Sequence, residues 1–207
     1  MLQKAAPEFT TDWFKMSKGV WEALIPRRKP ARILEIGSYE GASACFVVEK
    51  LANEKPIEIH CIDTWEGSVE TRERDMGAVE RRFDENMKIV TEAAAQEVKL
   101  TKHKGRSDII LARLLAEGYA GYFDMVYVDG SHQAPDVLCD AVLGFRLCRT
   151  GGVMIFDDYL WRDPSDHAKN IMRTPKPAID AFTNIYGSKL RFFPAVLYQV
   201  YLEKLSD

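Results

Sequence analysis

Gly151–Trp161 reads GGVMIFDDYLW, and this stretch poses the central question of the sequence. The apolar run Val153–Phe156 is typical of a strand that is buried on both faces, as strands are in helix-covered parallel sheets. The run leads directly into two adjacent carboxylates, Asp157 and Asp158. Like charges at the end of a buried strand repel each other, so the sequence predicts that something positive lies close to them.

The composition indicates a soluble globular protein. The chain has 207 residues, of which 46% are hydrophobic and 29% charged, and its formal net charge is -3. This charge argues against a nucleic-acid partner. No apolar run reaches the roughly 18 residues of a membrane span, and the N-terminus lacks a signal-peptide core, so we expect no membrane association and a cytoplasmic location. The cysteines occur singly in apolar segments, which predicts reduced core residues: Cys45, Cys61, Cys139 and Cys148.

Outward from Gly151, strand-like and helix-like segments alternate along the chain. Five strand-like segments are separated by helices, and the chain ends in two strands or a hairpin interrupted at Pro194. This alternation predicts a single α/β domain over residues 1–207: a doubly wound, mostly parallel seven-stranded sheet with helices on both faces and an antiparallel last strand. Residues 1–30 are expected to form a helical cap on a core of residues 31–207.

Three of the predicted strands end in acids. Asp63 ends the second strand, Asp129 the fourth, and the Asp157/Asp158 pair the fifth. The carboxyl ends of parallel strands meet at one edge of the sheet, where ligands bind near the reversal of strand order. The sequence therefore predicts an acidic rim at that edge.

The turn after the first strand reads EIGSYEGAS, from Glu35 to Ser43. Gly37 and Gly41 permit a tight turn and a close approach of a ligand to the backbone. Tyr39 occupies the position where a GxGxxG dinucleotide loop needs its middle glycine, so a pyrophosphate fits poorly. The loop suits a ligand without phosphates, and Glu35 would attract a positive one. An ordinary strand-to-helix turn remains the alternative.

The end of the second strand offers a nucleoside site. Asp63 lies where a carboxylate receives ribose hydroxyls, and Trp65 offers a flat apolar face for adenine. The alternative makes Asp63 a loop cap and Trp65 a core residue.

Three stretches together resemble SAM-dependent methyltransferases (SAM, S-adenosylmethionine) of the Rossmann-like class. They are LEIGSYEGAS, CIDTWEGS and YVDGSHQAPDVLCDAVLGFRLCRTGGVMIFDDYLW. More narrowly, they resemble small bacterial O-methyltransferases related to sugar-modifying and catechol-type enzymes. The resemblance spans about Arg32 to Lys204. Tyr39 departs from the commonest glycine pattern, but relatives of this kind often carry a bulky residue there.

The resemblance implies cofactor roles for the residues that match the family's motifs. The residues of the first loop that would hold the methionine part of SAM are Glu35, Gly37, Ser38, Tyr39, Gly41 and Ser43. Asp63 would bind the ribose beside Thr64 and Trp65, and Ser107 would lie near the adenine. Asp129 and Gly130 would complete the cofactor site.

The resemblance also implies a catalytic centre. Metal-dependent relatives use acids at the positions of Asp129, Asp157 and Asp158, and carboxylates suit Mg²⁺. In the alternative without a metal, Asp158 caps a loop and Asp129 only accepts hydrogen bonds. Ser131 occupies the position of the base in sugar-modifying relatives, so His132 is the neighbouring candidate for a catalytic base, beside Asp129. A structural or cofactor-contacting role for His132 stays open.

Other aromatic and histidine residues are assigned to the framework. Trp13, Phe14, Val20, Trp21 and Leu24 have near-helical spacing, which predicts either a helix packed across the sheet or a lid or dimer contact. His60 is expected in a strand, and His103 and His167 are expected to be exposed.

The function expected from these residues is SAM-dependent methylation of a hydroxyl on a small molecule such as a sugar or polyol, assisted by a divalent metal. The acceptor would be the main partner, and the sheet edge of the last strands leaves room for a homo-oligomer. A non-catalytic nucleoside-binding module is the alternative, although three acids on one rim argue against it. Tyr39 argues against a dinucleotide-dependent oxidoreductase, and the acidic net charge against an RNA methyltransferase.

Overall fold

The computed structural model describes residues 5–68, 71, 73–163 and 168–207. The strands in this part of the chain are β1 (Arg32–Ile36), β2 (Ile57–Asp63), β3 (Val98–Lys104), β4 (Phe123–Val128), β5 (Cys148–Phe156), β6 (Leu190–Phe192) and β7 (Val200–Lys204). The α-helices are α1 (Lys15–Arg28), α2 (Ala42–Leu51), α3 (Met76–Ala93), α4 (Ser107–Ala116), α5 (Ala134–Leu147) and α6 (Lys176–Ile185).

The strands form one sheet in the order β3-β2-β1-β4-β5-β7-β6. Strands β1 to β5 pair in parallel, and β7 is antiparallel to both of its neighbours. The predicted doubly wound sheet with an antiparallel last strand is therefore confirmed. The chain runs outward in one direction from β1 to β3 and in the other from β4, so the reversal of strand order lies between β1 and β4.

Each face of the sheet carries its own apolar core, and a separate layer of helices covers each core. In β1, Ile33 contacts the core on one face, while Leu34 and Ile36 contact the core on the other. Helices α1, α2 and α3 cover the first face, and α4, α5 and α6 the second. Helix α3 packs on the sheet through one apolar face, where Phe83 and Met87 are fully buried. This arrangement leaves the carboxyl edge of the sheet free for a site.

The N-terminal helix α1 packs across the sheet. Trp21 is 1% exposed, donates from its indole nitrogen to Gln199 at 2.9 Å, and meets the Tyr127 ring edge-on at 4.8 Å. Trp13 precedes the helix and is 55% exposed. The first of the two roles predicted for this segment therefore holds for α1 itself.

Some local expectations need correction. His103 was expected to be exposed but is buried, because its ring contacts His60 and Arg113 beneath α4. His167 lies outside the described residues. Cys45, Cys61 and Cys148 are buried and Cys139 is half-buried, all as free thiols. Among the described helices, none has the length and apolar character needed to cross a bilayer.

Candidate active site

The carboxyl ends of β1, β4 and β5 lie side by side at the reversal of strand order. The Asp129 N–H donates to the Ile36 carbonyl at 2.8 Å, and the Asp157 N–H donates to the Val128 carbonyl at 2.9 Å. These bonds continue the sheet ladder by one residue beyond each strand. The structure therefore brings the predicted acids together on one rim.

Gly37 joins the loop after β1 to the loop after β4. Its φ is +86°, in the left-handed region, and a Cβ there would lie 1.9 Å from the Asp129 carbonyl oxygen. No side chain fits such a gap, so this position requires glycine. Tyr39 also has a positive φ of +47°, and Gly41, at +82°, begins α2. The loop thereby turns sharply along the rim, as the sequence predicted.

Glu35 lies beneath this loop as a buried carboxylate. Ser38 donates its hydroxyl to Glu35 at 2.7 Å, and Ser43 donates to the other carboxylate oxygen. Burial raises the pKa of Glu35 to about 7, although both hydroxyls lower it. A cationic ligand near this carboxylate would favour its ionised form. The environment therefore fits a positively charged ligand.

Asp63 holds the backbone of two loops. One carboxylate oxygen accepts the N–H groups of Ser38 at 3.0 Å and Tyr39 at 2.8 Å, and the other accepts the Trp65 N–H at 2.8 Å. The Thr64 hydroxyl accepts the Glu66 N–H at 3.1 Å. The loop-cap role is thus present, and because two carboxylate oxygens offer about four acceptor positions, capacity remains for a ligand hydroxyl.

Trp65 does not present a face to the rim. The side chain is 3% exposed, its ring lies 4.9 Å from the Phe83 ring, and Lys102 lies 4.5 Å from its centroid. Its φ of +49° turns the ring inward, where the indole N–H donates to the Tyr39 carbonyl at 2.9 Å. The prediction of an exposed adenine platform at Trp65 is therefore corrected: the residue supports the loop from below.

Ser107 and Gly130 lie near a carboxylate that the sequence reading missed. Ser107 is the first residue of α4, and Arg106 is the N-cap of that helix. Asp140 of α5 is 1% exposed, and a Cβ on Gly130 would lie 3.6 Å from it. Burial raises the pKa of Asp140 to about 7, although the nearby Ser107 hydroxyl lowers it.

The two acids that follow β5 point in different directions. Asp157 turns inward and accepts hydrogen bonds from the Tyr127 hydroxyl and, at 2.6 Å, from the Gln199 amide. Burial, and then the charge of Asp158, raise the pKa of Asp157 to about 6. Asp158 has a φ of +57°, and its side chain points away from that of Asp157. The predicted repulsion is therefore reduced by divergence and by separate partners.

Asp158 pairs with His132 on the rim. Its Oδ2 lies 2.8 Å from His132 Nε2, and its Oδ1 accepts the Tyr198 hydroxyl at 2.7 Å. The His132 ring also lies 4.0 Å from the Trp161 ring. The predicted base and one predicted metal ligand thus form a single carboxylate–imidazole pair.

Asp129 completes this rim cluster. Burial, followed by the charges of Asp157 and Asp158, holds the pKa of Asp129 well above its usual range. Three potential metal-ligand atoms lie within 4.8 Å of one another here: a carboxylate oxygen of Asp129, a ring nitrogen of His132 and a carboxylate oxygen of Asp158. This set differs from the predicted Asp129–Asp157–Asp158 set, because Asp157 faces Tyr127 and Gln199 while His132 faces the rim.

A cavity adjoins the rim cluster between the ends of β4 and β5 and the beginning of α6. It is shallow and partly open, and His132, Asp158 and Pro175 are among its lining residues. The enclosed space holds little more than one water-sized group, so it admits a hydroxyl beside the carboxylate–imidazole pair.

The N-terminal strap, defined here as residues 8–13, lies against the β1 loop and was not predicted. Thr10 donates its N–H and its hydroxyl to the buried Glu40 carboxylate, each at 2.6 Å. The Glu8 N–H donates to Asn86 at 2.8 Å, and the Trp13 ring lies 5.0 Å from the Tyr39 ring. These partners are far apart in sequence, so no local pattern reveals them.

Comparison with solved structures finds the same architecture in O-methyltransferases. One is an enzyme of tomaymycin synthesis from Streptomyces achromogenes in complex with SAM: 19% identity, 92% of this chain and 80% of that chain covered, and a TM-score of 0.64. Another is from Bacillus cereus, in complex with SAH: 14% identity, 97% and 84% covered, and a TM-score of 0.63. At these identities the likeness establishes the fold.

Comparison with curated protein sequences returns no match. Residues 34–159, more than half of the chain, match the model of a family described as a methyltransferase domain. The matched range begins in β1 and ends just after the Asp157/Asp158 pair, so it includes the β1 loop and the whole rim cluster. The chain therefore belongs to this methyltransferase domain family.

Proposed function

We propose that the protein transfers the methyl group of SAM to a hydroxyl of a small molecule such as a sugar or polyol. The observation that carries this proposal is the Asp129–His132–Asp158 cluster, which lies directly against the Gly37 loop. A proton acceptor beside a site for a positively charged nucleoside is the arrangement that hydroxyl methylation requires.

The residues along the β1, β2 and β4 edges fit SAM by charge and by shape. The loop of Gly37, Tyr39 and Gly41 permits close approach, and the buried Glu35 matches a sulfonium or ammonium group. The full set proposed to hold SAM is Glu35, Gly37, Ser38, Tyr39, Gly41, Ser43, Asp63, Thr64, Ser107, Asp129 and Gly130. Trp65 acts behind them as support for the loop.

The chain's own part in the reaction is to orient the acceptor and to take its proton. When bound, SAM supplies an electrophilic methyl group for an in-line displacement. The acceptor hydroxyl approaches His132, and because Nε2 faces Asp158, its proton would go to Nδ1, an atom that the approaching acceptor must uncover. Asp158, at 2.8 Å from Nε2, fixes the ring and stabilises its protonated form. Tyr198 holds Asp158 in place through its 2.7 Å hydrogen bond.

The same donors are suited to a divalent cation, as an alternative to proton uptake by His132, because a ring bound to a cation is not also the proton acceptor. Asp129, His132 and Asp158 would hold it, and the nitrogen of His132 favours a metal softer than the Mg²⁺ expected from carboxylates alone. A cation there would polarise the acceptor hydroxyl. Asp157, which is tied to Tyr127 and Gln199, is proposed to position Asp158 without binding the metal.

The first test is calorimetric titration with S-adenosylhomocysteine (SAH), run once with magnesium and once with EDTA. We expect binding in both conditions, with affinity reduced about tenfold in Asp63→Asn, since one ligand hydrogen bond is weakened. Asp84→Asn is the matched control, because Asp84 is an exposed α3 residue that pairs with Lys102, away from the β1 loop. Absence of SAH binding in both conditions would contradict the proposal.

A further inference from the structure

Arg74 lies on the outer side of the β1 loop, against Tyr39. One guanidinium nitrogen donates to the Tyr39 hydroxyl at 2.8 Å. The guanidinium carbon also lies 5.1 Å from the Trp13 ring centroid and 5.8 Å from that of Tyr39. Two aromatic rings therefore hold this cation at the loop, one from the strap and one from the loop itself.

Arg74 differs from the other arginine that contacts this loop. Arg82 donates to the buried Glu40 carboxylate at 2.8 Å, so its charge is matched. Within the described part of the chain, Arg74 has no carboxylate at ion-pair distance. A guanidinium carries five N–H donors, of which the Tyr39 hydroxyl takes one. The remaining donors can bind an anion.

The proposed ligand brings such an anion to this loop. The amino-acid part of SAM carries an α-carboxylate together with a sulfonium and an ammonium group. Glu35 suits a cationic group, but Glu35 and Asp63 both repel the carboxylate. A planar guanidinium binds carboxylates through two parallel hydrogen bonds, which a surface lysine does not reproduce.

We propose that Arg74 binds the α-carboxylate of the amino-acid part of SAM, held in place by Trp13 and Tyr39. This inference rests on the proposed function, because it assumes that the β1 loop holds that part of the molecule. The inference also gives the N-terminal strap a role. Thr10 anchors the strap on Glu40, and Trp13 of the strap orients Arg74.

The test compares two ligands that differ in this group. SAH contains the amino-acid part, whereas 5′-deoxy-5′-methylthioadenosine has the same nucleoside and thioether without it. In Arg74→Met we expect calorimetric affinity for SAH to fall about 10- to 100-fold, the value of a charge-assisted pair, and affinity for methylthioadenosine to stay within about twofold. Arg74→Lys should lower the affinity for SAH less than Arg74→Met does, because lysine keeps the positive charge but lacks the planar guanidinium.

Arg81→Met is the matched control, because Arg81 is exposed on α3 and its substitution removes one positive charge, as Arg74→Met does. It should leave both affinities unchanged. Equal losses for both ligands in Arg74→Met would overturn the inference and make Arg74 a support of the loop. Unchanged SAH affinity would also overturn it. If the unaltered protein binds methylthioadenosine as tightly as SAH, the carboxylate has no partner and the inference fails, while failure to bind either ligand contradicts the proposed function itself.

Discussion

The His60–His103 pair inside the fold and the His132–Asp158 pair on the rim contain similar groups in different surroundings. The inner pair belongs to a chain of contacts that ends in a charge at each side. His60 Nε2 lies 2.8 Å from Glu58, His103 Nε2 lies 3.0 Å from His60 Nδ1, and Arg113 lies 3.2 Å from His103 Nδ1. If Arg113 donates to His103, His103 to His60 and His60 to Glu58, both rings are neutral and every ring nitrogen is satisfied.

The rim pair is not enclosed in this way. His132 adjoins a cavity, and Asp129 and Asp157 bring further negative charge close to Asp158. A histidine–carboxylate pair that is enclosed between charged side chains inside the fold is therefore a structural group, whereas a pair at the ligand edge of the sheet is a candidate for chemistry.

The largest expected effect is on turnover at the rim. In His132→Gln, methyl transfer should fall about 10²- to 10⁴-fold, because the proton acceptor is lost. The measurement is SAH formation from SAM with a panel of sugars, polyols and catechols, together with urea unfolding to establish that the fold persists. Turnover within threefold of the unaltered protein would remove His132 from the reaction.

A substitution in the inner His60–His103 pair should instead change stability and leave ligand binding intact. In His60→Leu, His103 loses its acceptor inside the fold, so the free energy of unfolding should fall by about 2–4 kcal/mol. SAH affinity at a temperature where the variant is folded should be unchanged. A selective loss of SAH binding with normal stability would erase the distinction between the two clusters.

Asp140 shows what burial does to the pKa of a carboxylate away from the rim. Its pKa is about 7 in the fold and near 3.8 in an unfolded chain. The folded protein therefore holds a proton between these values that the unfolded chain releases, so this group's contribution to stability falls as pH rises from about 4 to about 7. Asp140→Asn should remove that dependence and raise stability at pH 8 by about 2–4 kcal/mol. Urea unfolding across this pH range measures it, and identical slopes for both proteins would be the contrary result.

The smallest effect is expected at Arg113, which contacts His103 of the inner histidine pair. Burial lowers the pKa of His103 to about 4, and the charge of Arg113 contributes in the same direction. The ring should stay neutral in NMR titrations until pH falls toward that value. Arg113→Gln should raise this pKa, since a repelling charge is removed, and lower the free energy of unfolding by about 1 kcal/mol. A pKa that stays the same or falls would mean that Arg113 does not face His103 in solution.

The order of elements and the location of the site could be predicted because both follow from local patterns. The apolar run Val153–Phe156 forms part of a buried strand, and the acids after β2, β4 and β5 lie at one edge, as parallel strands require. The direction of individual side chains could not be predicted. Positive φ values at Trp65 and Asp158 turn one ring into the core and separate two adjacent carboxylates.

The sequence by itself determined the doubly wound sheet, its acidic rim and the glycine-dependent loop, because hydrophobic periodicity and turn residues are read over a few neighbouring positions. Only the tertiary structure decided that His132 rather than Asp157 joins Asp129 and Asp158, that Asp140 is buried, and that the strap brings Trp13 to Arg74. These features depend on contacts between residues that are distant in sequence, and such contacts are set by how the layers pack, which no local pattern encodes.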